Sequence, residues 1–188
     1  MKKILIILIL ALSLVSCSKK EEEAVVPEYP YEIVSDRVDM SAYTGVTSTD
    51  HNFRLIKVTE LFNTIDNKSS GVFYLGRTSC NCCQSVCKYL NEVAKELGVT
   101  VYYIDVYNPD EPLTEKEMQE KLYEYMYEIL GHDDEGNKTL LTPQVFSVVN
   151  GEFYGSQICF NNYKLDTDAQ IEEFKDAYRA LMKPFAQG

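Results

Sequence analysis

The stretch GVFYLGRTSCNCCQSVCKYLNEVAKEL, Gly71–Leu97, combines a strand pattern, a helix pattern and a cluster of cysteines. Its continuous apolar run, Val72–Gly76, is typical of a buried strand. A helix is predicted from about residue 80 to Leu97, because Gly98 is a common residue just past a helix end. The cysteines could form a redox site, a metal site or part of the helix packing. They are Cys80, Cys82, Cys83 and Cys87.

The helix places these cysteines in different surroundings. Cys83, Val86, Cys87 and Leu90 recur at steps of three and four residues, which is the pattern of a buried helix face. Cys87 is therefore interpreted first as a small core residue, with a reactive role left open. Cys80 follows a short loop at the helix start, where unsatisfied backbone N–H groups and the helix dipole stabilise a thiolate.

Cys80 and Cys83 have the spacing of a redox pair. Cys83 lies three residues after Cys80, within the first helical turn, so the two sulfurs can meet in a disulfide. In disulfide exchange a more exposed thiolate attacks the partner disulfide, and a buried thiol resolves the mixed disulfide. The sequence therefore predicts Cys80 as nucleophile, Cys83 as resolving thiol and their redox-active disulfide in place of a separate cofactor.

The rest of the chain predicts an α/β arrangement. Short strands at 31–34 and 53–58 precede a helix capped by Thr59, and a buried strand follows Gly98. The dipeptide Asn150-Gly151 predicts a type I′ hairpin turn, and capping boxes predict two helix starts. The predicted later elements are a strand at Val99–Val106, a helix from Thr114 to about Leu130, a polar loop at 131–138, a hairpin at Pro143–Ile158 and a helix after Thr167.

This order of elements resembles the thioredoxin fold, from about Leu55 to Phe185. The resemblance implies a mixed central sheet flanked by helices, with the C-x-x-C pair at a helix N-terminus. Thr142-Pro143 occupies the position of the fold's cis-proline, which implies that Pro143 lies beside Cys80 and helps to form the site. The Thr142 backbone would pair with an extended substrate, and Arg77 and Ser79 complete the predicted substrate-binding residues.

FYLGRTSCNCC looks most similar to the bacteriocin transport accessory protein group, which carries Gly-Arg-x-x-Cys-x-x-Cys at this place. The sequence also departs from thioredoxin itself. Thioredoxin has Trp before the first cysteine, Gly-Pro within the pair and a buried Asp six residues before the first cysteine. Here those places hold Ser79, Asn81-Cys82 and Tyr74. No acid is placed to take the proton from Cys83, which leaves open a binding module without turnover.

Two further cysteines are candidate accessory thiols, and a metal site is the main chemical alternative. Cys82 could change which disulfide forms, or could be a tolerated surface cysteine. Cys159, after the hairpin, could approach the pair. Thiolates suit Cu(I) or Zn(II), but one helix cannot close a tetrahedron when Cys83 and Cys87 face the core and Cys82 does not. A copper or zinc carrier with two or three thiolate ligands stays open, and no metal ligand is assigned.

The N-terminal residues predict export and lipid attachment. Lys2 and Lys3 precede an apolar run to Val15 that is shorter than the roughly 20 residues of a transmembrane helix. LVSC, ending at Cys17, resembles the bacterial lipobox, which implies cleavage before Cys17 and lipidation of its sulfur. The predicted organisation is a signal peptide at 1–16, a lipidated cysteine and charged tether at 17–30, and one thioredoxin-like domain at 31–188.

The net charge and the expected compartment of the protein limit the functions that the sequence predicts. Removing residues 1–16 leaves 16 basic and 29 acidic residues, a net charge of −13, which argues against a nucleic-acid partner. Disulfides persist outside the cytoplasm. The sequence therefore predicts an extracytoplasmic thiol-disulfide oxidoreductase held on the cell membrane by its lipid. Its predicted partners are exported cysteine-containing proteins or peptides and a membrane redox protein.

Overall fold

The computed structural model describes residues 33–35, 38–108, 113, 115–158 and 165–186. Most of these residues belong to eight strands and four α-helices. The strands are β1 Ile33–Ser35, β2 Phe53–Ile56, β3 Gly71–Gly76, β4 Val101–Asp105, β5 Gly131–His132, β6 Lys138–Thr139, β7 Gln144–Val149 and β8 Glu152–Ile158. The helices are α1 Val58–Asp66, α2 Asn81–Leu97, α3 Lys116–Met126 and α4 Asp168–Met182, followed by a short 3₁₀ helix, Lys183–Phe185.

Six strands form one mixed sheet in the order β1-β2-β4-β3-β7-β8, and β5 pairs with β6 separately. Strands β2, β4 and β3 are parallel, whereas β1, β7 and β8 each run antiparallel to a neighbour. The parallel strands β3 and β4 are joined through α2, as parallel neighbours require a crossover. This central mixed sheet, with a cysteine pair at the start of α2, confirms the thioredoxin-like fold class.

The core has two parts because helices cover both faces of the sheet. Successive residues of a strand point to opposite faces, so Val72 and Tyr74 of β3 lie in the cluster with α2 and α4. Phe73 and Leu75 lie in the cluster with α1 and α3. All six residues of β3 are buried, as the apolar run predicted.

Several predicted boundaries were wrong. α1 begins at Val58, before the expected cap Thr59, because Val58 is buried and joins the first turn. α3 begins at Lys116 with Glu115 as its N-cap, not at the expected cap Thr114, and it ends at Met126 instead of continuing to Leu130. β4 is shorter than predicted at both ends, although Val99 is buried. The predicted polar loop at 131–138 is a small hairpin in which β5 pairs with β6.

Some predictions lie outside the described residues. These concern the signal peptide, Cys17 and the tether within residues 1–32, and Cys159. They stay predictions. In the part of the chain that the structure describes, no helix is long and apolar enough to cross a membrane.

The hairpin between β7 and β8 turns at Asn150-Gly151 as predicted, with φ of 54° and 82°. A Cβ on Gly151 would lie 2.7 Å from the Ile65 carbonyl oxygen and 2.9 Å from the Lys68 Cα. Gly136 has a similar φ of 86°, but a Cβ there meets nothing within 4 Å.

We expect Gly151→Ala to reduce the free energy of unfolding more than Gly136→Ala does. Both variants carry the cost of a left-handed residue, roughly 1–2 kcal/mol. Only Gly151→Ala adds a clash with backbone atoms, which costs about 1–3 kcal/mol more. Denaturant unfolding of the two variants measures this difference. Equal losses would contradict the close packing of the hairpin turn against α1.

Candidate active site

The candidate site lies where β3 ends and α2 begins. After Gly76 the chain makes a turn in which the Cys80 N–H donates to the Arg77 carbonyl at 3.3 Å. Cys80 is the N-cap of α2 with extended backbone angles, φ −93° and ψ 118°. Its Sγ accepts a hydrogen bond from the Cys83 backbone N–H at 3.3 Å. The sulfur therefore takes the capping role that a serine or aspartate oxygen usually fills.

The environment of Cys80 favours its thiolate. Burial raises the pKa of Cys80, but hydrogen bonds outweigh burial and leave the pKa below that of an ordinary cysteine. The largest of these hydrogen bonds come from the Cys83 side chain and backbone, and a smaller one comes from the Cys82 backbone. The Cys83 N–H, in the first turn of α2, is one of the donors that lower the pKa of Cys80.

Cys83 is more deeply buried than Cys80, and its pKa is raised instead of lowered. Cys80 is 9% exposed and Cys83 is 0% exposed, so Cys80 is the more accessible member of the pair. Burial, together with the neighbouring Cys80 sulfur, raises the pKa of Cys83 to about 12. Both are free thiols in this structure. The pair therefore combines one thiol whose pKa is lowered with one whose pKa is raised.

The segment before β7 lies against Cys80. The Thr142-Pro143 peptide bond is cis, as the resemblance to the thioredoxin fold implied, and Pro143 is buried. The Cys80 thiol donates to the Thr142 carbonyl oxygen at 3.4 Å. Two segments that are 62 residues apart in sequence therefore meet at one sulfur.

Arg77 and Ser79 lie in the loop before Cys80. Ser79 is exposed, whereas Arg77 is half-buried. The Arg77 Nη1 donates to the Tyr107 hydroxyl at 2.5 Å, and its guanidinium carbon lies 5.3 Å from the Tyr107 ring centroid. Tyr107 is itself half exposed after β4. The chain thus presents an arginine and a tyrosine at the carboxyl ends of β3 and β4, on the same edge of the sheet as Cys80.

The remaining described cysteines differ in burial. Cys82 is half-buried and packs partly against the core. Burial and the neighbouring Cys80 raise the pKa of Cys82. Cys87 is fully buried, which agrees with the core-packing interpretation, and burial raises its pKa. In the described ranges, no group of three or more His, Cys, Asp or Glu side chains is placed to hold a metal ion.

Gln84 holds the loop before Cys80 in place, a role that the sequence did not predict. Its Nε2 donates to the Thr78 carbonyl at 2.7 Å and to the Ala42 carbonyl at 2.8 Å. Its Oε1 accepts from the Thr44 N–H at 2.8 Å. One amide thus joins the segment before β2 to the loop that leads to Cys80. A glutamine on the polar side of an amphipathic helix gives no sequence signal for such contacts.

In the reduced protein, we expect Cys80 to be alkylated by iodoacetamide well before Cys83. The thiolate is the reactive form, and its fraction rises as pH rises through the pKa. The lowered pKa of Cys80 brings ionisation to lower pH, whereas Cys83 ionises only near pH 12. Peptide mapping after brief alkylation at several pH values measures the order. Equal labelling of the two cysteines at neutral pH would contradict this description of the pair.

Comparisons with known proteins give structural likeness without sequence similarity. No family model matches the chain. No curated protein is significantly similar to it. Among solved structures, thioredoxin O2 from Arabidopsis thaliana is 14% identical with a TM-score of 0.41, covering 73% of this chain and 96% of that one.

Two other solved structures are similar in the same way. Fasciola hepatica thioredoxin is 12% identical with a TM-score of 0.37, covering 65% of this chain and 94% of that one. A redox protein from Chlamydomonas reinhardtii is 17% identical with a TM-score of 0.44, covering 76% of this chain and 39% of that one. At these values the fold class rests on the strand order and on the position of the cysteine pair in this chain.

Proposed function

We propose that the protein is a thiol-disulfide oxidoreductase in which Cys80 is the nucleophile and Cys83 the resolving thiol. The observation that carries the proposal is the contrast between the two thiols: the Cys80 sulfur caps α2 and is partly accessible, whereas Cys83 is fully buried. Hydrogen bonds at the start of α2 lower the pKa of Cys80, while burial raises that of Cys83. Thr142 and Pro143 form the wall against which a substrate would lie.

The proposed reaction proceeds by two exchanges. The Cys80 thiolate attacks one sulfur of a substrate disulfide, and the other substrate sulfur leaves as a thiolate and takes up a proton. Cys83 then gives up its proton and attacks the Cys80 sulfur, which breaks the mixed disulfide and releases the second substrate thiol. The substrate has gained two electrons and two protons, and Cys80 and Cys83 are joined. The reverse sequence oxidises a dithiol.

The finer parts of the proposal rest on the sequence. The N-terminal pattern ending at Cys17 supports lipid attachment, and export supports a compartment in which disulfides persist. The substrates would be cysteines of exported proteins or peptides, and a membrane redox protein would restore the pair. The likeness of FYLGRTSCNCC to the bacteriocin transport accessory group suggests bacteriocin maturation as a setting for this reaction and identifies no particular peptide.

Turnover of a disulfide reporter tests the central part of this proposal. A soluble form beginning at Ser18 keeps every strand and helix of the described fold. We expect it to speed the reduction of fluorescently labelled glutathione disulfide or insulin by a small dithiol. Glutathione buffers of graded composition then give the reduction potential and hence the favoured direction. A rate equal to that of the dithiol alone, with both substrates, would overturn the assignment.

Replacing Cys17 tests the proposed anchor. We expect the full chain in a bacterial host to be found with membranes and to incorporate labelled fatty acid. Cys17→Ala should abolish the label and release the protein from the membrane fraction, because lipid chains would provide the attachment. Fractionation with labelling measures both effects. Unchanged membrane association of Cys17→Ala, or no label in the parent chain, would contradict lipidation at this residue.

A further inference from the structure

A buried cluster of three tyrosines, Tyr43, Tyr74 and Tyr103, lies beneath the cysteine pair. Each is at most 3% exposed. The Tyr43 and Tyr103 hydroxyls share a hydrogen bond of 3.0 Å. The Tyr74 ring stacks on Tyr103 with centroids 5.3 Å apart and lies 6.2 Å from Tyr43. Tyr74 belongs to β3, on the face covered by α2, in the same core cluster as Cys83 and Cys87.

The Tyr74 hydroxyl is buried without a hydrogen-bond partner among the described residues. Such a group is unusual, because buried polar atoms in folded proteins nearly always have a partner. Burial keeps the pKa of Tyr74 well above its usual value, so the phenol is neutral at physiological pH and can donate a hydrogen bond. The hydroxyl is therefore enclosed in the core without a well-formed hydrogen bond, and the groups it interacts with are the Tyr43 hydroxyl and the sulfurs of Cys83 and Cys87.

Gly76 directs this donor along the strand. Tyr74 and Gly76 are two residues apart on β3 and so share a face of the sheet. A Cβ at Gly76 would collide with the ring tip and hydroxyl of Tyr74. The missing side chain lets the phenol lie over Gly76, towards the end of β3 from which the chain leads to Cys80.

The groups that influence Cys83 come from each element that packs against it. Cys80 is the N-cap of α2 and Cys87 lies within α2. Tyr74 lies on β3, and the backbone of Arg77 lies in the loop between β3 and α2. The Tyr74 hydroxyl lowers the pKa of Cys83 and of Cys87, although burial dominates and leaves both raised. Tyr43 and Tyr103 form the rest of the cluster. Burial raises the pKa of Tyr103, and the nearby carboxylate of Asp105 raises it further.

We propose that Tyr74 is a positioning residue for the proposed exchange reaction, and that its hydroxyl donates a hydrogen bond to the Cys83 sulfur as that sulfur becomes a thiolate. The inference rests on the proposed function of the pair. The phenol keeps its own proton throughout. The proton of Cys83 is released and one is taken up by the departing substrate thiolate, while the Cys83 sulfur forms its bond to Cys80. Tyr74 thus stabilises the attacking thiolate without serving as the base.

Stepwise reaction with 5,5′-dithiobis(2-nitrobenzoate) separates the two cysteines. The soluble form beginning at Ser18, with Cys82→Ser and Cys159→Ser, should release thionitrobenzoate in two phases. In the first, Cys80 attacks the reagent disulfide and forms a mixed disulfide with one thionitrobenzoate. In the second, Cys83 attacks the Cys80 sulfur and releases the other. The reagent is the oxidant, and the second phase depends on the Cys83 thiolate alone.

We expect Tyr74→Phe to slow the second phase about tenfold at pH 7, the effect of raising a pKa by about one unit. The first phase should be unchanged. Tyr103→Phe is the matched control, because it removes a buried hydroxyl of the same cluster whose hydrogen bond is to Tyr43. It should leave both phases unchanged. Equal second-phase rates in Tyr74→Phe and the parent, or equal slowing by both substitutions, would overturn the proposal.

A stronger donor at the same position gives a result of opposite sign. Site-specific 3-fluorotyrosine at position 74 keeps the ring, and its more acidic phenol should speed the second phase and move its pH profile to lower pH. A residue that acts only through packing would not change the profile in opposite directions in the two variants. If the second phase is absent in the parent itself, Cys83 does not resolve the mixed disulfide, and the proposed function fails together with this inference. A second phase that Tyr74 does not affect overturns the inference alone.

Discussion

Cys83→Ser is expected to trap substrate on Cys80 as a stable mixed disulfide and to reduce turnover to the rate of the uncatalysed exchange. The nucleophile remains, with the Cys83 backbone N–H still donating to its sulfur. The thiol that would break the mixed disulfide is gone. Cys80→Ser should lose turnover to the same extent without trapping anything. Non-reducing mass measurement of the protein after incubation with a disulfide peptide distinguishes the two variants.

Cys87→Ala provides the control for these two substitutions. Cys87 lies one turn after Cys83 on the same buried face and is fully buried. Its loss should lower stability slightly and leave turnover near that of the parent. The assignment would be contradicted if Cys83→Ser turned over normally, or if Cys87→Ala trapped substrate instead.

Phe146→Ala is expected to lower the free energy of unfolding by about 3–5 kcal/mol. Phe146 is 0% exposed, and its ring lies 5.5 Å from that of Phe73 and 5.7 Å from that of Phe153. Truncation removes apolar contacts and leaves a cavity between the sheet and the helices α1 and α3. Domains of this kind are stable by only about 5–15 kcal/mol, so the loss is a large part of the total. Denaturant or thermal unfolding measures it.

Tyr154→Ala is the matched surface substitution for Phe146→Ala. Tyr154 lies on the edge strand β8 and is 53% exposed, so its loss should change stability by no more than about 0.5 kcal/mol. Phe146→Ala should also keep its exchange activity wherever it stays folded, because Cys80 and Cys83 belong to the core cluster on the other face of the sheet. Similar losses for the two variants would contradict the two-sided core.

The parts of the fold that could be predicted are those with strong local signals. The apolar run of β3, the turn at Asn150-Gly151 and the capping box at Thr167 all form as expected. Helix ends were harder, because tertiary contacts decide them. Val58 joins α1 and is buried, and α3 gives way after Met126 to a turn that leads into β5.

The sequence predicts where the two cysteines of the site lie, but it does not predict most of the residues around them. The position of Cys80 at a helix start follows from a strand, a loop and an amphipathic pattern in order. The contacts of Gln84 join segments that are 42 residues apart, and no local pattern encodes them. For Tyr74, the sequence predicts only a core position in a buried strand. Only the packed structure shows that its hydroxyl makes no well-formed hydrogen bond to the described residues and that Gly76 leaves room for it.

One native mass spectrum with a fragment map tests the central claim most directly. The soluble form beginning at Ser18 would be purified in air without added metal. We expect a mass lower than that of the reduced chain by about two hydrogens for each disulfide, with fragments that join Cys80 to Cys83. A chain with all thiols reduced and a mass raised by bound zinc or copper would contradict that claim, and would favour a thiolate metal carrier.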